Sequence, residues 1–185
     1  MNNLKSWFVC VNIRTFNLLR PYFKCKLTYC MKKTSFDYVL VGIQFFLFGL
    51  YLLDFFGSFT VLTGLKWAAF ASTSFGFLIL ALAILQLRNS LTAFPTPKDN
   101  SSLITNGLYQ YVRHPIYTGI LLAVFGYSLY STSYSRLSIS ISLTILFFIK
   151  TAYEEQQLTK KFPAYSEYAK KTGRFFPKWR QLFRT

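Results

Sequence analysis

The stretch WAAFASTSFGFLILALAILQL, Trp67 to Leu87, decides the fold. It holds no charged residue, and as a helix it has the length of about 20 residues needed to cross the hydrocarbon core of a bilayer. Three further runs have the same character. They are Tyr38–Phe56 (YVLVGIQFFLFGLYLLDFF), Ile116–Ser133 (IYTGILLAVFGYSLYSTS) and Leu137–Tyr153 (LSISISLTILFFIKTAY). The last two are short and rich in Ser and Thr, which suits packing against protein. Small residues four apart, Ala68, Ser72 and Gly76 in the second run and Gly119 and Ala123 in the third, predict close helix contact. The expected fold is therefore all-α: an integral membrane bundle of about four transmembrane helices.

The composition agrees. The chain has 185 residues, of which 52% are hydrophobic, 20% aromatic and 15% charged, against about 25% charged in ordinary soluble domains. Its net charge of +15 does not indicate nucleic acid, because the basic residues sit between apolar runs and in the tails instead of forming a phosphate-binding stripe. Their distribution instead sets orientation. Seven Lys and Arg precede Tyr38; only Lys66 lies between the first two runs. Arg88, Lys98 and Arg113 lie between the second and third, only Arg136 between the third and fourth, and eight follow the fourth. By the positive-inside rule both termini and the 88–115 loop are cytoplasmic, where basic loops face anionic lipid. The two outer connections are short, so the spans are expected as two hairpins.

Residues 1–35 read as a basic N-terminal extension, distinct from a membrane domain over 36–185. The stretch Trp7–Leu19 is too interrupted to span and suits an interfacial helix. No small-residue cleavage site marks a signal peptide, and Met31 is an alternative start. Cys10, Cys25 and Cys30 are irregularly spaced and odd in number, with no His nearby. They read as incidental reduced thiols, with palmitoylation of a juxtamembrane Cys as the alternative. No metal site is expected.

Two stretches carry chemistry. In the 88–115 loop, Pro95 and Pro97 forbid a helix and Asn106-Gly107 signals a turn. His114, the single His, precedes Pro115, which suits the first turn of the following helix. Tyr117, three residues on, shares its face. The second stretch follows the fourth run, where Glu154 and Glu155 account for two of only six acids. A helix continued past Tyr153 would put Glu154, Leu158 and Lys161 on one face. Phe162-Pro163 should break it, and Phe162, Tyr165, Tyr168, Phe175 and Phe176 suggest a C-terminal interfacial helix. An antiparallel third and fourth span would bring Arg113–Tyr117 beside Lys150–Leu158. Asp54, the remaining acid inside a run, lies near its outer end and is expected to reach water.

At these residues the chain resembles the isoprenylcysteine carboxyl methyltransferase and phospholipid methyltransferase superfamily. The likeness runs from about Leu87 to Trp179. LITNGLYQYVRHPIYTGILL is similar to that family's Gly-x-Tyr-x-x-x-Arg-His-Pro-x-Tyr-x-Gly stretch, and EEQQLTKKFPAYSEYAKKTGRFFP to its C-terminal ending; LTAFPTPKD resembles its bacterial branch. The resemblance implies S-adenosylmethionine as cofactor, bound at the cytoplasmic face without a Rossmann turn, and a lipophilic or small methyl acceptor reached from the bilayer. It implies a cofactor pocket of Ser102, Leu103, Ile104, Tyr109, Arg113, His114, Pro115, Ile116 and Tyr117, with Glu154 or Glu155 holding the polar part. Lys150 stands where the prenylcysteine enzymes place a substrate-side Arg, so recognition of a carboxylate acceptor is not implied. No catalytic base is evident. The bacterial likeness implies a multi-pass protein of the plasma membrane. Two alternatives share the pattern: an NADPH-dependent membrane reductase of the sterol-reductase type, and a non-catalytic membrane subunit.

Overall fold

The computed structural model describes residues 34–87, 92, 94–97 and 102–178. The three cysteines, the Trp7–Leu19 stretch, Met31, Arg88 and Lys98 lie outside the described residues. Within them the protein is all-helical: α1 (Ser35–Tyr51), α2 (Thr63–Leu87), α3 (Pro115–Tyr130), α4 (Tyr134–Lys161) and α5 (Tyr165–Lys171), with a 3-10 turn over Gly107–Gln110. Pairing between extended segments is confined there to two isolated bridges, Ser58 with Ser133 and Val112 with Gly173.

Local signals set the helix ends. Asp37 accepts the Thr34 backbone N–H at 2.7 Å and starts α1. Pro115 opens α3 with His114 as its cap, as the sequence predicts. Ser133 caps α4 by accepting from the Arg136 N–H at 3.3 Å. Phe162 ends α4, and Pro163 cannot continue it. α2 and α4, of 25 and 28 residues, are long and apolar enough to cross a membrane, whereas α1 and α3 are shorter apolar helices. The boundaries differ from expectation at both ends of the scale. α1 stops at Tyr51, before Asp54 and Phe56, because the backbone N–H groups of Phe55 and Phe56 turn to the Ser135 hydroxyl at 2.9 and 2.6 Å. α4 runs eight residues beyond Tyr153 without interruption. Asp54 sits in the connection, where it accepts from the Ser133 hydroxyl at 2.8 Å and pairs with Arg136 at 3.5 Å.

The lateral order also differs from two packed hairpins. α2 packs on α3, α3 on α4, and α1 on α4 instead of on its neighbour in sequence. Polar matches across α1 and its partners account for this. Gln44 accepts from the Lys150 ammonium, and the Tyr51 hydroxyl donates to the Val124 carbonyl at 2.7 Å. The Thr34 hydroxyl lies 3.3 Å from that of Tyr153.

The α2–α3 contact is backbone against backbone. A Cβ on Gly76 would stand 2.5 Å from the Ala123 nitrogen and 2.7 Å from the Gly119 oxygen, and one on Gly126 would stand 2.7 Å from the Ala69 oxygen. The small-residue stripe therefore forms, through Ala69, Thr73 and Gly76; Ala68 faces outward, one position off the expected register.

Large apolar side chains point out. Phe45, Phe46, Trp67, Phe77 and Ile145 are exposed, while Asp37, Gln44, Ser128, Ser140, Lys150 and Thr151 are buried. Outward apolar side chains of this kind suit lipid contact.

Candidate functional site

The 92–114 loop, the start of α3, the end of α4 and the residues after it enclose a cavity of about 420 Å³, within the usual range for small-molecule sites. The loop is fixed to α1. The Thr96 hydroxyl sits 2.9 and 2.8 Å from the two carboxylate oxygens of Asp37, and both residues are buried. Phe94 stacks edge-on against Tyr38 at 5.1 Å. As the two prolines predict, no helix forms over residues 94–97. Gly107 then turns the chain with φ of +61°, and the Leu108 N–H donates to Gln86 of α2 at 3.0 Å.

The antiparallel α3–α4 contact brings the two sequence stretches together. His114 and Tyr117 lie on one face with ring centroids 5.7 Å apart. The Tyr117 hydroxyl donates to Glu154 Oε2 at 3.3 Å, and His114 Nδ1 lies 3.8 Å from the same oxygen. The Lys150 ammonium stands 5.6 Å from the Tyr117 ring centre.

The two glutamates are differently used. Glu155 is held by three groups: Arg113 Nε at 2.8 Å, Arg174 at 2.8 and 3.2 Å, and His114 Nε2 at 3.3 Å. Arg113 also donates through Nη1 to the Ala169 carbonyl at 2.9 Å and to the Thr172 carbonyl. Backbone pairing runs beside this cluster. The Arg113 and His114 N–H groups donate to the Gly173 and Arg174 carbonyls at 2.8 and 3.1 Å, and Thr118 donates to the Phe175 carbonyl at 2.9 Å. Residues 172–175 are thus stitched to the Arg-His-Pro stretch.

This changes the reading of the C-terminal aromatics. α5 has seven residues, and Tyr165 and Phe175 are buried in protein, leaving only Phe176 strongly exposed. Phe175 packs against Phe148 at 5.0 Å and His114 at 6.3 Å. The expected interfacial helix is instead a short docked segment that walls the cavity.

Of the residues singled out from the sequence, Ser102, Leu103, Ile104, Tyr109, Arg113, His114, Ile116, Tyr117, Lys150 and Glu154 line the cavity. Pro115 and Glu155 do not; Glu155 braces Arg113 and His114 from behind. Sequence reasoning missed Gln44, the α2 residues Leu80, Ile84 and Leu87, and the aromatics Phe162, Tyr165 and Tyr168, all of which line it. The break at Phe162-Pro163 was the available signal, since a chain that turns back directly after α4 must pass over the end of α3.

Two phenols in the wall, Tyr109 and Tyr165, are buried with no hydrogen-bond partner for their hydroxyls among the described residues. Burial pushes both well above the usual phenol range, and the charge of Glu154 pushes the same way. Burial raises Tyr168 to about 12, and its hydroxyl donates to the Tyr109 carbonyl. All three are neutral donors at physiological pH. Among the described residues no cluster of His, Cys, Asp or Glu is arranged to hold a metal ion.

The fold and cavity define an all-helical protein with apolar outer faces and a largely apolar, aromatic-walled pocket that carries a few polar groups. A family model described as phospholipid methyltransferase matches residues 65–165, more than half of the chain, and the chain belongs to that family. Methyl transfer is the chemistry that the family's description names. Two curated relatives are the cobalt-zinc-cadmium resistance protein CzcN of Cupriavidus metallidurans, 29% identical over 82 residues, and the nickel-cobalt-cadmium resistance protein NccN of Alcaligenes xylosoxydans xylosoxydans, 27% identical over 89 residues. The matches cover 44% and 48% of this chain and 38% and 41% of the relatives, so the chain spans less than half the length of either. α1 lies outside the family-matched region.

Proposed function

We propose that this chain is an S-adenosylmethionine-dependent methyltransferase, acting on a lipophilic or small acceptor at the cytoplasmic face of the membrane. The observation that carries this reading is the enclosure of one cavity by the Arg-His-Pro-Ile-Tyr stretch and by Lys150–Leu158 of α4.

The residues present fit the cofactor's chemistry. Its sulfonium is a cation, and cations are stabilised by aromatic faces within about 6 Å of the ring centre. Tyr109, His114, Tyr117, Phe162, Tyr165 and Tyr168 supply such faces, with the Glu154 carboxylate among them. Glu154 also offers acceptor oxygens to amino or ribose hydroxyl groups. Bound there, S-adenosylmethionine supplies an electrophilic methyl group for in-line displacement. That chemistry depends on holding two reactants in register, so the chain's main task is positioning. Glu155, braced by Arg113 and Arg174, fixes His114 and the C-terminal wall.

Lys150 and Gln44 mark the acceptor side. α1 and α2 both contribute to the lining, through Gln44 and through Leu80 and Ile84, yet they do not pack as a pair. An acceptor therefore enters from the bilayer between α1 and α2, while the cofactor enters from water. On this reading α1 to α4 all span, both termini are cytoplasmic and residues 36–185 form the working domain, in a bacterial plasma membrane as the sequence resemblance implies. A purified sample in lipid nanodiscs, supplied with methyl-labelled S-adenosylmethionine and a lipid extract, should yield a labelled product identifiable by mass. Absence of any labelled acceptor would defeat the reading.

A further inference from the structure

Lys150 carries a charge into a largely apolar setting, and the residue is 1% exposed. Taking an ammonium out of water is costly unless an opposite charge and hydrogen bonds compensate it, and buried charges are accordingly paired. Lys150 is not. Among the described residues it forms no ion pair. One of its three N–H donors goes to Gln44 Oε1, a neutral group, and its ammonium lies 5.6 Å from the centre of the Tyr117 ring. Glu154 and Asp37 act on it through space, but Glu154 is turned to Tyr117 and His114, and Asp37 to Thr34 and Thr96.

Gln44 adds a second unspent donor. Its oxygen is taken by Lys150, while its amide nitrogen has no hydrogen-bond partner among the described residues. That nitrogen is not one of the sealed orphan atoms, which lie on Tyr109, Arg136 and Tyr165, so it keeps accessible surface. Both residues line the cavity, together with the apolar Leu80, Ile84 and Ile120. The groups that Lys150 and Gln44 leave unused are therefore all donors, and one of them is charged. A protonated amine placed there meets a like charge. A neutral hydroxyl leaves the charge uncompensated. An anionic oxygen satisfies the donors and the charge together. Glu154 comes one turn later on α4, about 6 Å along the axis, so the end of the cavity that favours cations is distinct from the end that favours anions.

We propose that Lys150 and Gln44 form an anion-recognising subsite, and that the methyl acceptor seated on it is an amphiphile with an apolar chain and an anionic oxygen group, a carboxylate or a phosphate. Calling that ligand the acceptor rests on the methyl-donor reading; the subsite itself does not. Gln44 belongs to α1, outside the family-matched residues 65–165, so family membership does not supply this half of the site.

The test photo-crosslinks palmitate carrying a diazirine in its chain to the purified protein in detergent, with palmitate, hexadecyl phosphate, hexadecanol and hexadecylamine as competitors. Crosslinks should map to the cavity lining on α2 and α3. At least one of the two anions should suppress them at concentrations about tenfold or more below those needed of the alcohol and the amine, the scale of hydrogen bonds to a charged group. Whichever anion competes better assigns the headgroup. Lys150→Arg keeps the cation and should keep this order. Lys150→Met removes the cation and should abolish it. Gln44→Glu should abolish it too, and because it preserves side-chain size while giving Lys150 a counter-charge, that loss cannot be assigned to a collapsed cavity. Competition by the alcohol or the amine equal to that of both anions, or an unchanged order in Lys150→Met and Gln44→Glu, would overturn this inference and leave the methyl-donor reading standing. That reading fails separately, if the native protein binds no S-adenosylmethionine.

Discussion

Glu154 and Glu155 are adjacent in the chain and opposite in their surroundings. Glu154 faces the cavity with Tyr117 as its only hydrogen-bond donor among the described residues, whereas Glu155 is saturated by Arg113, Arg174 and His114. Their substitutions should separate accordingly. Glu154→Gln should weaken cofactor binding by about tenfold or more, the loss of charge-assisted hydrogen bonds, with the ligand-free unfolding temperature little changed. Glu155→Ala leaves two guanidinium groups without their counter-charge and should lower stability by about 3 kcal/mol, near the small end of the range for broken buried pairs, as read by denaturant unfolding in detergent. The tyrosines make a pH prediction. Tyr109, Tyr165 and Tyr168 ionise at higher pH in the folded protein than in the unfolded chain, where phenols titrate near about pH 10. The folded state therefore holds more protons above that value, and stability falls as pH rises through it. Tyr168, raised by burial to about 12, places its part of the decline between about pH 10 and 12. Tyr168→Phe should flatten the decline of the unfolding temperature inside that window.

At the scale of elements, the α2–α3 interface and the Asp37–Thr96 contact decide where the cavity walls stand. A methyl group on Gly76 meets Ala123 and Gly119 backbone atoms, which cannot rotate away. Gly76→Ala should force the helices apart at about 1–3 kcal/mol, the usual range for overpacking, and should show in unfolding by denaturing detergent. Asp37→Asn or Thr96→Val should loosen the loop that carries Pro97 and the Ser102–Ile104 wall, weakening ligand binding more than global stability. Much of this scale was legible in the sequence. Apolar runs located α1 to α4, and the topology brought Arg113–Tyr117 beside Lys150–Leu158. Small residues flagged the α2–α3 face, although Ala68 was one position out, because four-residue spacing fits two adjacent stripes on a helix. The seating of α1 on α4 was not legible. It depends on matches such as Gln44 with Lys150 and Thr34 with Tyr153, which join residues more than 100 positions apart and leave no local pattern. Hydropathy alone ended the fourth run at Tyr153, because the last two turns of α4 are polar, but Phe162-Pro163 marked where a continued helix would break, and α4 ends there.

Over the whole molecule, α2 and α4 are long and apolar enough to cross a membrane, and the proposed arrangement puts all four apolar helices across the bilayer with the cavity at the cytoplasmic end. Single cysteines at Ser58 and Lys178, in a background lacking Cys10, Cys25 and Cys30, should be labelled by an impermeant reagent from opposite sides of the membrane. Labelling of both from one side would contradict the topology. The docked C-terminal segment ties that topology to the site, since residues 172–175 are fastened to Arg113 and His114 and cannot lie elsewhere. The proposed cofactor is a methyl donor, and the competing pattern from the sequence is a nicotinamide-dependent reductase. Equilibrium binding of labelled S-adenosylmethionine and of NADPH to the purified protein, native and Glu154→Gln, decides between them. The account predicts saturable binding of S-adenosylmethionine that the substitution sharply weakens, with no saturable binding of NADPH. Saturable NADPH binding, or S-adenosylmethionine binding indifferent to Glu154, would contradict it.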